Sequence, residues 1–207
     1  MAPRGAVRLL AVAEPLEKLF ELPAPEQAVV IARGPSLERY LPARHPSAVT
    51  IGVNDLGYRW GYNADAKYRV DYSIFIDGHL KASDGSLICE LPKWGTVLRP
   101  KRHAECNEGN GYYWDWQRGS EDNQQIRDAF GRTGSAAMLL PWLWGCRDIW
   151  IYGMDSYPDC NDNRSAIGEG VHYEGGRSYE STVSRQKKAI EYFGMQGCVH
   201  WAHLERF

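Results

Sequence analysis

Long apolar runs, paired cysteines and an excess of charge are all lacking in this 207-residue chain. No run approaches the roughly 20 apolar residues needed to cross a bilayer, so we expect no membrane span. The formal net charge of −2 does not indicate a nucleic-acid partner. The five cysteines are spread without a CxxC pair, which favours free thiols in a reducing compartment over disulfides or a zinc site. We therefore expect a cytoplasmic protein.

The standard nucleotide-binding fingerprints are also absent. The chain contains neither GxxxxGKS/T nor GxGxxG, which excludes the sequence signatures of P-loop and dinucleotide sites. Its composition is that of an ordinary globular protein, with 43% hydrophobic and 24% charged residues. We predict one domain over residues 1–207, with an irregular N-terminal segment at 1–27 and an aromatic-rich insert at 104–125.

Short apolar runs, several of them followed by small or polar residues, predict the strands of a buried sheet. Ala28–Ala32 is a continuous run of the kind found in parallel strands that are covered on both faces. Similar segments occur at 48–53, 70–76, 95–98, 148–152 and 198–203. Helical segments fall between them. This alternation predicts an α/β fold with a mostly parallel sheet covered by helices on both faces.

Two segments have the spacing of apolar residues that is typical of helices. Residues 135–144 end before Gly145, although Pro141 is expected to kink this helix or shift its frame. Residues 178–193 show the clearer stripe and end before Gly194. Shorter helical turns are expected at 14–22 and 37–41.

The segment 104–125 mixes glycine, asparagine and aromatic residues, and we interpret it as a long irregular insert outside the sheet. Four aromatic side chains lie close together in it: Tyr112, Tyr113, Trp114 and Trp116. Flat rings suit pyranose faces and nucleobases, so this cluster is a candidate for stacking against a bound sugar or base.

Small and polar residues follow directly after four of the predicted strands. They are Gly34 and Ser36, Asn54, Asp77, and Asp155. Ligands of open parallel sheets bind beyond the carboxyl ends of the strands. We therefore predict that these residues line one binding rim.

Two strand-to-helix junctions are candidate anion sites. At Gly34–Pro35–Ser36, glycine permits a close approach, and backbone amides with the Ser36 hydroxyl suit a phosphate or ribose oxygen. The alternative is an ordinary tight turn capped by Ser36. At 131–137, two glycines, hydroxyls and a basic side chain open a helix whose dipole favours an anion. The alternative there is a capping segment that needs close helix packing.

Candidates for acid–base chemistry follow the strand at 148–152. His172 is a candidate general base because imidazole titrates near neutral pH, and the alternative is a surface histidine. Tyr157 either donates to a leaving phosphate or packs. Three nearby residues lack calcium-loop spacing and are interpreted as a solvated loop, so no metal site is predicted: Asp159, Asn161 and Asp162. His200 and His203 are interpreted as structural residues of the last strand.

Four motifs resemble, in the same order, those of bacterial sialyltransferases that use CMP-sialate and of the related MptE-like family, which includes 6-hydroxymethylpterin diphosphokinases. They are the segment 31–37 with Gly34-Pro35-Ser36-Leu37, then Asn54, the segment 131–135, and the segment 149–155. The resemblance covers residues 28–157. It implies a Rossmann-like domain, related to the GT-A glycosyltransferases, with a nucleotide in its crevice.

The resemblance also implies roles for individual residues. Gly34 and Ser36 would contact the nucleotide phosphates or ribose, and Asn54 would contact phosphate or the transferred group. Thr133, Gly134 and Ser135 would hold the base or the donor. Tyr157 would stabilise the leaving phosphate, and His172 would deprotonate an acceptor hydroxyl without a metal. Arg33 stands where the family usually has asparagine, and it either pairs with a phosphate or carboxylate or blocks the family's donor mode.

We therefore predict a transferase that uses a CMP- or UDP-type donor and moves a sugar to an acceptor hydroxyl, with Asp155 or His172 as the base. One alternative is a diphosphotransferase or other nucleotide-processing enzyme that needs Mg²⁺, with Asp77 and Asp155 as natural ligands. Another alternative is a module that binds a nucleotide without catalysis. The sequence does not identify the acceptor.

Overall fold

Eight parallel strands form one sheet in the computed structural model, which describes residues 13–57, 66–76, 94–100, 111–114, 133–155 and 176–205. The strands are β1 (Glu14–Pro15), β2 (Ala28–Ile31), β3 (Val49–Val53), β4 (Tyr72–Ile74), β5 (Thr96–Pro100), β6 (Gly111–Trp114), β7 (Ile149–Tyr152) and β8 (Val199–Trp201). Their order across the sheet is β1-β6-β5-β4-β3-β2-β7-β8. This architecture confirms the predicted Rossmann-like α/β class.

The direction in which strands are added to the sheet reverses beside β2. From β2 the chain moves outward through β3, β4, β5 and β6, and it then adds β7 and β8 on the other side of β2. In register, Ala28 lies between Val49 of β3 and Ile149 of β7. The connections that follow β2 and β7 therefore leave in opposite directions, which is the arrangement that opens a crevice beyond the carboxyl ends of α/β sheets.

The alternating side chains of β2 divide the core into two layers. Ala28 and Val30 lie in the larger layer, whereas Val29 and Ile31 lie in the smaller one, and all four side chains are fully buried. A β-branched run can fill both layers because its side chains suit a pleated surface that is covered twice. The prediction of a central strand here is confirmed.

Two helices cover the larger layer. They are α2 (Thr133–Leu143) and α3 (Gly176–Phe193), and a short α1 (Glu17–Phe20) precedes β2. Among the described residues, the smaller layer is instead covered by 3₁₀ turns, which contribute Leu37 and Leu56. No helix in the described ranges is both long and apolar enough to span a membrane.

The glycines predicted to end the two longer helices have the positive φ angles expected at helix ends. Gly145 follows α2 with φ +103°, and Gly194 follows α3 with φ +62°, a conformation that glycine adopts more readily than other residues. Pro141 lies inside α2, two residues before its end. Only the Ala137 carbonyl loses its intrahelical donor there, so the helix continues to Leu143.

The interpretation of 104–125 as lying outside the sheet is wrong at Gly111–Trp114, because these residues form β6 between β5 and β1. Trp114 is 6% exposed and belongs to the larger core layer, and Tyr112 packs against that layer. A Cβ at Gly111 would lie 2.5 Å from the Val97 carbonyl oxygen. The aromatic residues at 112 and 114 therefore serve the sheet and its core, as aromatic residues commonly do in strands.

The segment 1–27 also contributes to the sheet. β1 pairs with β6 in parallel, and the Leu16 amide extends this pairing by donating to the Tyr113 carbonyl oxygen at 2.8 Å. Leu16 and Leu19 are fully buried in the larger layer. The part of this segment from residue 13 onward is therefore more ordered than its three prolines indicate.

His45 lies in a chain of hydrogen bonds that links the start of β2 to β7. The Gln27 amide nitrogen donates to Asp148 Oδ2 at 2.6 Å, so the Gln27 amide oxygen faces His45 Nδ1 at 2.9 Å. An amide oxygen only accepts, so Nδ1 carries the proton and Nε2 accepts from the Tyr152 hydroxyl at 2.9 Å. Burial lowers the pKa of His45 and so favours its neutral form.

We expect the free energy of unfolding to decrease as the pH falls below about 6.5, the ordinary pKa of histidine. In that range the unfolded chain binds a proton at residue 45 that the folded chain binds more weakly, so acid favours unfolding by at most about 1.4 kcal/mol per pH unit. Urea denaturation of the wild-type chain and of His45→Gln between about pH 7 and pH 5 tests this linkage. An identical pH dependence in the two proteins would contradict it.

Candidate functional site

The candidate site lies beyond the carboxyl ends of β2 and β7, where the direction of strand addition reverses. The loop after β2 contains Gly34 and Ser36, and the loop after β7 contains Gly153 and Asp155. This is the position at which open α/β sheets bind their ligands. The structure thus brings together two predicted rim segments that are more than a hundred residues apart in sequence.

The two loops are hydrogen-bonded to each other. The Gly34 amide donates to the Gly153 carbonyl oxygen at 2.8 Å, and the Gly153 amide donates to Ser36 Oγ at 2.8 Å. The Ser36 amide donates to Asp155 Oδ2 at 3.0 Å. We call these four residues the loop clamp. It fixes the backbone on both sides of the crevice.

Both glycines of the loop clamp are required by close approaches. Gly153 has φ +74°, and a Cβ there would overlap the Ala32 carbonyl oxygen. Gly34 has an ordinary φ of −65°, but a Cβ there would overlap Asp155 Oδ2. Glycine at residue 34 therefore leaves space for the Asp155 side chain. Glycine at residue 153 both avoids a clash with the Ala32 carbonyl oxygen and permits the positive φ.

The Asp155 carboxylate lies at the start of the 3₁₀ turn Pro35–Arg39, where the sequence predicts a bound phosphate or ribose oxygen. Ser36 is 4% exposed, its amide is engaged by Asp155, and its oxygen accepts from Gly153. A carboxylate suits this position because backbone amides at the start of a turn favour an anion.

His203 is the second ionisable group beside the clamp. Its Nδ1 lies 3.5 Å from Asp155 Oδ1, and the side chains of His203 and Asp155 are 12% and 4% exposed. In the part of the chain that the structure describes, neither ring nitrogen of His203 nor Asp155 Oδ1 has a hydrogen-bond partner. Buried polar atoms without partners are uncommon in proteins and often mark functional groups.

The N-terminus of α2 lies beside the loop after β7. A Cβ at Gly134 would lie 3.2 Å from the Met154 methyl carbon and 3.9 Å from Gln186 Nε2 of α3. Thr133 is 8% exposed and Ser135 is fully buried. Ser135 Oγ and Gln186 Oε1 are buried without hydrogen-bond partners among the described residues. The predicted segment 133–135 therefore joins the rim at Met154.

Two further predicted residues follow neighbouring strands. Asn54 comes directly after β3 with φ +53°, a left-handed conformation that asparagine adopts more readily than most residues. Its side-chain oxygen is buried without a hydrogen-bond partner in the described ranges. Arg33 lies between β2 and Gly34 and is half-buried.

Three predicted site residues, Asp77, Tyr157 and His172, lie outside the described residues, so their roles stay predictions. In the described ranges, no group of three or more histidine, cysteine or acidic residues is arranged to hold a metal ion.

Two residues of the site were missed or misassigned from the sequence. His203 was interpreted as part of the last strand, but β8 ends at Trp201 and His203 lies in the turn after it. The rule that polar residues after a parallel strand line the rim would have found it. Gln186 lies within the apolar stripe of α3, where a fully buried polar residue is a signal in itself.

Comparison of the chain with known proteins finds no matching family model, no matching curated protein and no matching solved structure.

Proposed function

We propose that this protein is a transferase that uses a nucleotide-activated donor and moves a sugar to an acceptor hydroxyl. The observation that carries the proposal is the convergence of the loop clamp, the start of α2 and His203 at the crevice between β2 and β7. Open parallel α/β sheets bind their ligands at this crevice, and the backbone amides, hydroxyl groups and side-chain amide present there suit hydrogen bonds with a phosphate and a sugar.

The start of α2 is the proposed phosphate site. The first amides of an eleven-residue helix have no partners within the helix, and the helix dipole adds positive potential there. The turn at Pro35 is less suited to phosphate, because Asp155 already supplies a negative charge at the Ser36 amide. Thr133 and Ser135 add hydroxyl groups for the donor, and Asn54 adds an amide at the neighbouring strand.

The chemistry proposed for this site is displacement of the nucleotide phosphate by an acceptor hydroxyl. A base must remove the acceptor proton as the bond to the sugar forms, and the negative charge that leaves with the nucleotide is stabilised at the α2 amides. Asp155, which lies at the crevice, and His172 are the candidates for this base that the sequence predicts. The donors of the proposed reaction are of the CMP or UDP type, and the reaction requires no metal ion.

We expect CMP or UDP to raise the thermal unfolding midpoint without Mg²⁺. A ligand at about 100 times its dissociation constant adds about 2.7 kcal/mol to the unfolding free energy, an effect that a thermal-shift assay detects readily. GDP, ADP and ATP, each with and without Mg²⁺, complete the panel. A shift with ATP only in the presence of Mg²⁺ would replace the sugar donor by the diphosphotransferase alternative, and no shift with any nucleotide would contradict the site.

The variant Ser135→Ala tests the proposed contact between the Ser135 hydroxyl group and the donor in the same assay. Removing a buried hydroxyl that has no partner among the described residues should leave the stability of the free protein unchanged or slightly higher. If the hydroxyl contacts the nucleotide, the variant should lose about 0.5 to 1.5 kcal/mol of the ligand-induced stabilisation. A smaller shift with unchanged intrinsic stability therefore separates ligand binding from folding.

We further propose that the protein works in the cytoplasm. The support is the cysteine pattern, since Cys146 and Cys198 are both free thiols in the structure.

A further inference from the structure

The turn after β8 holds His203 in a defined position at the rim. The Ala202 amide continues the sheet by donating to the Ile151 carbonyl oxygen at 3.0 Å. Arg39, from the turn that Ser36 helps to begin, donates through Nη1 to the Ala202 carbonyl oxygen at 3.0 Å. The Trp201 ring contacts the imidazole edge-on, with the ring centres 6.0 Å apart. The backbone next to the imidazole is therefore held in place by a hydrogen bond to β7 and by a hydrogen bond from Arg39 of the turn Pro35–Arg39.

Asp155 is oriented toward this imidazole by the loop clamp. Its Oδ2 accepts from the Ser36 amide, which directs Oδ1 toward His203 Nδ1. The 3.5 Å between Oδ1 and Nδ1 is longer than a hydrogen bond, and such contacts in catalytic sites often shorten when substrate binds. Polar atoms of a buried side chain with a purely structural role are usually hydrogen-bonded, whereas His203 Nε2 is buried and has no partner within the described residues.

We propose that His203 is the general base of the transfer reaction and that Asp155 is its positioning residue. This inference rests on the proposed function. With the Nδ1 proton directed at Asp155, His203 Nε2 is the atom that accepts a proton. As the acceptor oxygen forms its bond to the anomeric carbon, the acceptor proton moves to Nε2, and the bond between that carbon and the phosphate oxygen breaks. The nucleotide phosphate leaves with the electron pair of the broken bond.

The proposal assigns separate functions to two histidines that lie close together in sequence. His200 is within β8, its ring stacks on Trp150 with the centres 4.8 Å apart, and its Nε2 lies 3.2 Å from Asp148, the residue before β7. His200 therefore faces the amino ends of the strands, and His203 faces the carboxyl ends. His200→Gln is the matched control for His203→Gln, because both variants remove an imidazole and keep a polar side chain.

The first test measures nucleotide binding separately from cleavage of the nucleotide from its sugar donor. CMP- and UDP-linked sugars are the probes, and the released CMP or UDP is the readout with a panel of acceptor sugars. We expect His203→Gln to bind CMP or UDP as tightly as the wild-type chain does. We expect it to cleave the nucleotide from the sugar donor about 100- to 10,000-fold more slowly. We expect His200→Gln to keep the wild-type rate.

Each other result has one meaning. A wild-type rate in His203→Gln overturns the assignment of the base and leaves the proposed function standing. Wild-type protein that binds a nucleotide but releases none from any donor overturns the transferase proposal and the base with it. Wild-type protein that binds no nucleotide overturns the proposed site.

The second test does not depend on turnover. Imidazole ¹⁵N spectra of the neutral ring report which nitrogen carries the proton. We expect His203 to be protonated on Nδ1 in the wild-type chain and to shift toward the Nε2 tautomer in Asp155→Asn, while the spectrum of His45 stays unchanged. A proton on Nε2 of His203 in the wild-type chain would overturn the proposal, because that nitrogen could not then accept one.

Discussion

The variant Gly153→Ala is expected to lose about 2 to 5 kcal/mol of unfolding free energy, the sum of a left-handed backbone penalty and overpacking. Residue 153 has φ +74°, and an added Cβ would overlap the Ala32 carbonyl oxygen. That carbonyl belongs to the backbone of the neighbouring loop, so no side-chain rotation can relieve the overlap. The shift needed would also break the hydrogen bond from the Gly153 amide to Ser36 Oγ. Urea denaturation measures the loss.

Gly194→Ala is the matched control for this variant. Gly194 has a similar φ of +62°, but no atom lies within 4 Å of the position that its Cβ would take. It should therefore lose only the backbone penalty of about 1 to 2 kcal/mol. The difference between the two variants isolates the contact with the loop after β2. Equal losses would contradict the close packing of the two loops.

The variant Gly34→Ala is expected to lose about 2 to 4 kcal/mol through overpacking and a lost hydrogen bond, although alanine accepts the backbone conformation at residue 34. Its φ is −65°, so the whole cost comes from the Cβ, which would overlap Asp155 Oδ2. Moving the carboxylate breaks its bond with the Ser36 amide. We also expect a smaller thermal shift with CMP or UDP, because the displaced side chain enters the crevice.

A double-mutant cycle with Asp155→Ala identifies the cause of that loss. If the methyl group introduced at residue 34 displaces the carboxylate, the double variant should be more stable than the sum of the single losses predicts, by about 0.5 to 3 kcal/mol. The Gly153 carbonyl oxygen, 2.7 Å from the same Cβ, would keep the rescue incomplete. Strictly additive losses would show that residues 34 and 155 do not interact as described.

The strands that the sequence predicts well are those with nearly continuous apolar runs. β2 and β7 contain only apolar and aromatic residues, and β3 contains one polar residue, Thr50. Each of these strands pairs with a strand on both of its sides, and burial on both faces favours such runs. β6 and β1 were not predicted. β6 begins with glycine and lies within a segment rich in glycine and asparagine, while β1 has two residues, ends with proline and lies at the edge of the sheet. Segments of this kind depend on their neighbours for pairing, and their own sequence carries little signal.

The sequence predicted where the site lies, but it did not predict the hydrogen bonds among the residues of the site. Counting residues past the end of each strand placed Gly34, Ser36 and Asp155 at one rim, because parallel strands share a carboxyl edge. The bond between Ser36 and Asp155 spans 119 residues and has no local sequence signal, so Ser36 was assigned to the nucleotide and Asp155 to catalysis. The contact between Asp155 and His203 likewise joins residues that are far apart in sequence, so only the structure reveals it.

The central claim is that a nucleotide binds between the loops after β2 and β7, and amide NMR tests it most directly. Spectra of the ¹⁵N-labelled chain would be recorded with increasing amounts of whichever of CMP and UDP raises the unfolding midpoint. The account predicts shifts for the amides of Gly34, Gly134 and Gly153, and none for Gly145 and Gly194 at the far ends of the helices. Shifts confined to Gly145 and Gly194, or a bound nucleotide that leaves the three rim glycines unchanged, would contradict it.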